Sequence, residues 1–313
     1  MISLIVPCYN EQDVVRLFYD STVKVMKEMD VEYEIIFVDD GSSDNTMSEL
    51  IGLSSNDDNV VYLSFSRNFG KEAAMYAGFC NARGDYLAVL DADLQHPPEL
   101  LPKMYEILQT GEYDSVATRR IDRKGSSFIK SWFAHRLYSI MRRFSHVDIV
   151  DGAQDFRMMK RDMVDAILSL TEYNRFSKGI FGWVGFRTKW LEHEDVERAA
   201  GESKWSFIQL VKYAIEGIVS FSYAPLEAAS WLGVFITVPA FVYMIYIVIK
   251  FLLVGDPVAG WPTIICAVLF MGGLQLMMLG IVGEYLAKTY MECKRRPHYI
   301  IARSNRDSVK KIG

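Results

Sequence analysis

The sequence predicts an α/β protein: a mostly parallel sheet covered by helices on both faces, followed by two C-terminal helices that cross a membrane. Three observations carry that reading. Short apolar runs rich in β-branched residues alternate with amphipathic stretches from residue 2 to residue 118. The runs are apolar on both sides, as strands are when helices cover both faces of their sheet. Two long runs nearly devoid of charge then follow, although the chain as a whole is 23% charged.

In chain order, Ile2–Val6, Tyr33–Val38, Val60–Phe65, Tyr86–Leu90 and Ser115–Thr118 are the expected strands. Between them, Gln12–Met29, Asn45–Ser54, Lys71–Ala82 and Pro98–Thr110 carry helical periodicity. Asp44, ahead of Met47 and Leu50, reads as a helix N-cap. Trp205–Tyr223 places Trp205, Ile208, Leu210, Val211, Ile215 and Ile218 largely on one side of a helix that lies either in a membrane surface or against a core.

The 24 residues Trp231–Val254 hold one charge, Lys250. At about 1.5 Å per residue they reach roughly 36 Å, enough to cross a ~30 Å hydrocarbon layer with tilt. Trp261–Gly283 holds no charge, and the connecting Gly255–Gly260 contains Asp256 but no Lys or Arg. Lys288, Lys294, Arg295, Arg296, Arg303, Arg306, Lys310 and Lys311 follow. The positive-inside rule therefore puts the N-terminal domain and the tail in the cytoplasm, on a multi-pass membrane protein. The opening run Ile2–Val6 is too short for a signal-peptide core, which agrees. The expected division is a sheet domain over 1–204, an interface helix and linker over 205–230, a membrane hairpin over 231–290 with spans 231–254 and 261–283, and a basic tail over 291–313.

A net charge of −5 leaves no chain-wide basic field for nucleic acid. The 4 cysteines form no CxxC pair, which argues against structural zinc and for reduced thiols. Local charge is more informative. In a doubly wound sheet ligands bind past the carboxyl ends of the strands, and here those ends read Pro7-Cys8-Tyr9-Asn10-Glu11, Asp39-Asp40-Gly41, Ser66-Arg67-Asn68-Phe69-Gly70-Lys71 and Asp91-Ala92-Asp93-Leu94-Gln95. No GxGxxG or GxxxxGK[ST] is present, which argues against a dinucleotide dehydrogenase and a P-loop NTPase. Asp91 and Asp93, at i and i+2 after a strand, can converge on a Mg²⁺ or Mn²⁺ ion whose shell phosphates and water complete. Asp39 and Asp40 suit either a turn or hydrogen bonds to a base or ribose. Residues 119–143 set eight basic side chains against Asp122 alone, a local reversal of charge suited to an anionic ligand or to anionic lipid.

PCYNE at 7–11, DDGSSDNT at 39–46, SRNFGKEAA at 66–74 and DADLQHPPE at 91–99 resemble the family 2 glycosyltransferases of GT-A fold. QDFRMMKRD at 154–162, GWVGFR at 182–187, GESKW at 201–205 and EYLAKTYMECKRRPHY at 284–299 narrow the resemblance to polyprenyl-phosphate glycosyltransferases, with a two-span ending like the bacterial branch. The resemblance implies that Pro7, Tyr9, Glu11, Asp39 and Asp40 surround the nucleotide. It adds Lys71, Asp91, Ala92, Asp93, Ser203 and Lys204 to the donor site and makes Asp91, Asp93 and Gln95 the metal ligands. Arg119 resembles the arginine that meets the acceptor phosphate, with Lys130 or Arg136 as its companion. Asp155 either holds acceptor or sugar in line, with general-base help as a lesser role, or is tied to Arg157 structurally.

The implied reaction is inverting transfer of a hexose, from UDP-glucose or another UDP-hexose, to undecaprenyl phosphate at the cytoplasmic face. Asp155, Asp93 and Arg119 are the expected catalytic residues. A separate flippase downstream and homo-oligomers are further implications. The alternatives are a membrane-anchored nucleotide-sugar-binding subunit without activity and a processive polysaccharide synthase, the latter disfavoured by two spans and no QxxRW motif.

Overall fold

The computed structural model describes residues 1–120, 150, 152–193, 224–254 and 260–313. The chain forms two compact units, Met1–Ser220 with Arg295–Gly313, and Phe221–Lys294. The first unit holds β1 (Ile2–Cys8), α1 (Val15–Glu28), β2 (Tyr33–Asp39), α2 (Thr46–Ser54), β3 (Val60–Phe65), α3 (Lys71–Asn81) and β4 (Tyr86–Val89). A 3-10 turn (Pro98–Leu100), α4 (Leu101–Gln109), β5 (Ser115–Arg120), β6 (Ala153–Lys160), α5 (Arg161–Ser169), α6 (Ser177–Trp183) and β7 (Thr188–His193) follow. The second unit consists of α7 (Ala224–Val254) and α8 (Trp261–Lys294), after which the chain returns to the sheet as β8 (Ile301–Ser304).

The five expected strands and four expected helices form at the expected places. The sheet order is β7-β5-β6-β4-β1-β2-β3-β8. β1 to β5 and β7 run in one direction, while β6 and β8 are reversed, so the sheet is mixed. Alternate residues of β2 explain its double cover. Ile35 and Phe37 enter one core with Phe18 and Met26 of α1 and Leu101 and Met104 of α4. Ile36 and Val38 enter another with Ala74 and Ala77 of α3. At about 25 cal/mol per Å² of apolar area, burial on both faces is what repays ordering these strands. Gly78 lets α3 lie close on β1, because a Cβ there would overlap Ile5.

Of the residues expected as a basic tail over 291–313, the first four end α8 and Ile301–Ser304 add a strand to the sheet. β8 pairs antiparallel with β3. Tyr299 is fully buried and stacks on Phe65 at 5.4 Å between ring centroids. Asn305 accepts the Tyr62 N–H at 3.0 Å and donates to the Val60 carbonyl at 2.8 Å. Arg306 pairs with the buried Glu34, which also accepts from Ser3 Oγ at 2.6 Å and Arg83 N–H at 2.7 Å. The basic count of this segment hides these contacts, which depend on partners more than two hundred residues away.

In the second unit, the helix containing the first apolar run starts at Ala224, so residues 224–230 belong to it and not to a linker. Residues 205–223, the expected interface helix, lie outside the described residues. Among the described residues one stretch, Phe270–Lys294 of α8, is long and apolar enough to cross a membrane. α7 and α8 leave Phe235, Leu253 and Leu276 more than two-thirds exposed, an apolar surface that water would penalise.

Candidate active site

The site is built where β1 and β4 diverge. Pro7 pairs with Val38 of β2, but the ladder to β4 ends at Ile5–Val89. A proline has no N–H to extend it. The turns after β1 and β2 are laced together beside that opening. Asn10 N–H donates to Ser42 Oγ at 2.9 Å, Asn10 Oδ1 accepts from Ser43 N–H at 2.9 Å, and Glu11 N–H donates to Thr46 Oγ1 at 2.9 Å. Asp44 lies one residue before the N-cap Asn45, yet its Oδ1 accepts the Thr46 N–H at 3.0 Å and so does a cap's work. Tyr9 stays exposed at this edge.

Asp39 and Asp40 are both buried and both hold loops. Asp39 accepts from Ser42 N–H at 3.0 Å and Ser64 Oγ at 2.8 Å. Asp40 accepts from Phe69 N–H at 2.6 Å and Gly70 N–H at 2.9 Å, which fixes the turn leading into Lys71, the first residue of α3. Burial pushes the Asp40 carboxyl up to about 6, against the pull of those two N–H groups. Gly70 has φ +97, a left-handed conformation that suits glycine.

After β4, Asp93 Oδ1 accepts the Gln95 N–H at 3.1 Å and Leu94 takes φ +58, closing a turn in which Ala92 is buried. β6 runs antiparallel beside β4 with Val89 opposite Arg157, so the start of β6 brings Asp155 to the same edge. Lys71 joins the two strands. Its ammonium lies 2.7 Å from Asp91 Oδ1 and 2.7 Å from Asp155 Oδ2. Burial alone would raise the Asp155 carboxyl, but Lys71 first, then Lys178 and Arg157, hold it below the usual carboxylate range. Burial would likewise lower Lys71, and the two carboxylates outweigh it, so the ammonium stays charged.

Arg157 acts on Asp155 by charge. It is buried over the Phe181 ring at 3.6 Å, and burial lowers it to about 10. Arg119 pairs with Glu192, its neighbour across the β5–β7 ladder, and both side chains remain over two-fifths exposed. Lys130, Arg136, Ser203 and Lys204 lie outside the described residues. Two features went unseen in the sequence: Lys71 as the bridge between Asp91 and Asp155, and Glu72, which accepts the Ser177 N–H at 3.0 Å and ties α3 to α6. The one available signal was Lys71 directly after a glycine at a strand end.

The donor set is oxygen-rich. Among the described residues no group of three or more His, Cys, Asp and Glu side chains is arranged to hold a metal ion. Two aspartates on one turn nonetheless fit a hard cation whose remaining ligands come from phosphate and water. The Lys71 ammonium already stands as a cation against Asp91.

Residues 3–168 match the profile of glycosyl transferase family 2. A putative glycosyltransferase, CsbB, of Bacillus subtilis (strain 168) is 46% identical over 97% of this chain and 92% of its own. The SfII prophage-derived bactoprenol glucosyl transferase of Shigella flexneri is 41% identical over 97% of this chain and 98% of its own. A prophage bactoprenol glucosyl transferase homolog of Escherichia coli (strain K12) is 40% identical over 96% and 98%. Solved structures are more distant: glucosyl-3-phosphoglycerate synthase from Mycobacterium tuberculosis, covering 70% of this chain and 78% of that one, is 18% identical with a TM-score of 0.47. With an acidic edge built from β1, β2, β4 and β6, and likeness to its relatives along nearly the whole length, this chain belongs to glycosyl transferase family 2.

Proposed function

We propose that the protein transfers a hexose from a UDP-sugar, UDP-glucose foremost, to undecaprenyl phosphate at the cytoplasmic face of the membrane, inverting the anomeric centre. The observation that carries this reading is the convergence of Asp91 and Asp155 on Lys71 at one strand edge, in a chain 41% identical to a bactoprenol glucosyl transferase. Tyr9, exposed at that edge, offers a ring to the base, and Pro7, Glu11, Asp39 and Asp40 shape the turns around it. Asp91 and Asp93, with Gln95, would hold a divalent cation, Mg²⁺ or Mn²⁺, which neutralises charge developing on the leaving diphosphate. Ser203 and Lys204, which lie outside the described residues, are assigned to the donor phosphates by sequence resemblance alone.

The acceptor needs little activation, because a phosphate monoester with a second pKa of about 6 is already largely dianionic at neutral pH. Arg119 receives that phosphate and must exchange Glu192 for it, and Lys130 and Arg136 are its candidate companions from sequence. Asp155, held ionised by Lys71, orients the sugar or acceptor. α7 and α8 form a two-span membrane anchor, and the product is flipped by another protein. Purified protein should transfer radiolabelled glucose from UDP-glucose into an organic-extractable lipid when given undecaprenyl phosphate and Mg²⁺ or Mn²⁺. Nucleotide binding without any transfer would replace this reading with a non-catalytic donor-binding subunit.

A further inference from the structure

One ammonium joins the acidic turn after β4 to the first residues of β6. Lys71 Nζ touches Asp91 and Asp155 at 2.7 Å each, with a second contact to Asp91 Oδ2 at 3.0 Å. We propose that Lys71 is an internal counter-ion that occupies the place of the divalent cation, and that the cation enters only as Lys71 transfers to the diphosphate of the arriving nucleotide sugar. The inference rests on the reading of Asp91 and Asp93 as the metal-binding pair.

Three features of the molecule support the exchange. A cation bound to Asp91 oxygen would sit within about 2.0–2.6 Å of it, in space that the ammonium crowds, and two cations on one carboxylate repel. The backbone under Lys71 is pinned, because the N–H groups of Phe69 and Gly70 both donate to Asp40. The side chain above it is not pinned in the same way: it is 40% exposed, and its four-carbon stem can carry a point charge several bond lengths without moving α3. Charge balance gives the direction. Asp155 already answers to Lys178 and Arg157 as well as to Lys71, so a divalent ion added beside the ammonium would set cation against cation. A diphosphate supplies the anion to which the lysine can move. Metal and donor then bind as a set, and the free enzyme discriminates against metal alone.

The test measures metal binding directly. Mn²⁺ is titrated into the detergent-solubilised full chain, with and without UDP, and the free ion is read by its EPR signal. In the wild type, UDP should tighten Mn²⁺ markedly. Lys71→Met should bind Mn²⁺ about tenfold more tightly without UDP, as expected when a competing state is removed, and should lose most of the UDP effect. Lys178→Met is the control, since Lys178 also acts on Asp155 by charge but leaves the bridging ammonium in place. It should shift Mn²⁺ binding by much less.

Equal shifts in the two variants would reduce Lys71 to one of several nearby charges and overturn the proposal, as would unchanged binding in Lys71→Met. Lys71→Gln repeats the measurement if the Met variant does not fold, judged by its melting curve. Failure of every protein, wild type included, to bind Mn²⁺ even with UDP would instead bring down the metal reading, and this proposal with it.

Discussion

Carboxylates are paired differently at the two ends of the sheet. At the amino end, Glu34 is 3% exposed and Arg306 14%, and the guanidinium also donates to the Asn81 carbonyl at 3.0 Å. At the carboxyl end, Asp91 and Asp155 are 28% and 20% exposed and their partner is a lysine. An arginine fork that donates to two groups is a fixed joint, whereas an ammonium on a long stem is a charge that can be exchanged. The first arrangement holds the fold together. The second leaves the site able to accept another cation.

The contrast predicts opposite responses. Arg306→Ala strands the Glu34 charge in the interior and should cost about 3–5 kcal/mol, read as a fall in stability to denaturant. Transfer per folded molecule should barely change, and a cost below about 1 kcal/mol would erase the distinction between the two ends. Replacing both partners, as Glu34→Gln with Arg306→Met, should recover much of the loss. At the other end, Asp91→Asn should cut transfer by about 100-fold or more while leaving the melting temperature unmoved or raised. A large drop in stability there would mean that the open pair is structural too.

Asp40 sharpens the comparison, being a buried carboxylate with no cationic side chain hydrogen-bonded to it among the described contacts. Its value is raised from 3.8 to about 6, so the folded state holds the proton more tightly than the unfolded one. The stability this contributes is complete below about pH 4 and is lost as pH rises through 6. Denaturant curves from pH 7 to pH 4 should therefore move in favour of wild type over Asp40→Asn by up to about 3 kcal/mol. The smallest effect belongs to the surface. Arg16 and Glu49 pair at 3.4 Å but are 59% and 37% exposed, and Glu49→Gln should change stability by less than about 0.5 kcal/mol.

Much of this arrangement was legible in the sequence because its signals are local. β1 to β4 bury both faces, so each reads as a continuous apolar run, and Asp91 and Asp93 stand in a recognisable turn directly after one of them. β6 carries Asp155 at a motif, but its charged residues Arg157 and Lys160 obscure it as a strand. β8 is four residues, Ile301–Ser304, and only its ladder to β3 and the stacking of Tyr299 make it one. Lys71 illustrates the same limit at the site. Its partners lie 20 and 84 residues away, and the β4–β6 pairing that brings them together is decided by tertiary register.

The position of β8 also couples synthesis to assembly. The ribosome must translate α7 and α8, the most water-averse part of the chain, before the strand that covers the outer edge of β3 exists. Until then β3 presents unsatisfied backbone groups, a template for misplaced pairing between nascent chains. β8 thus fastens a sheet whose first strand was made about three hundred residues earlier.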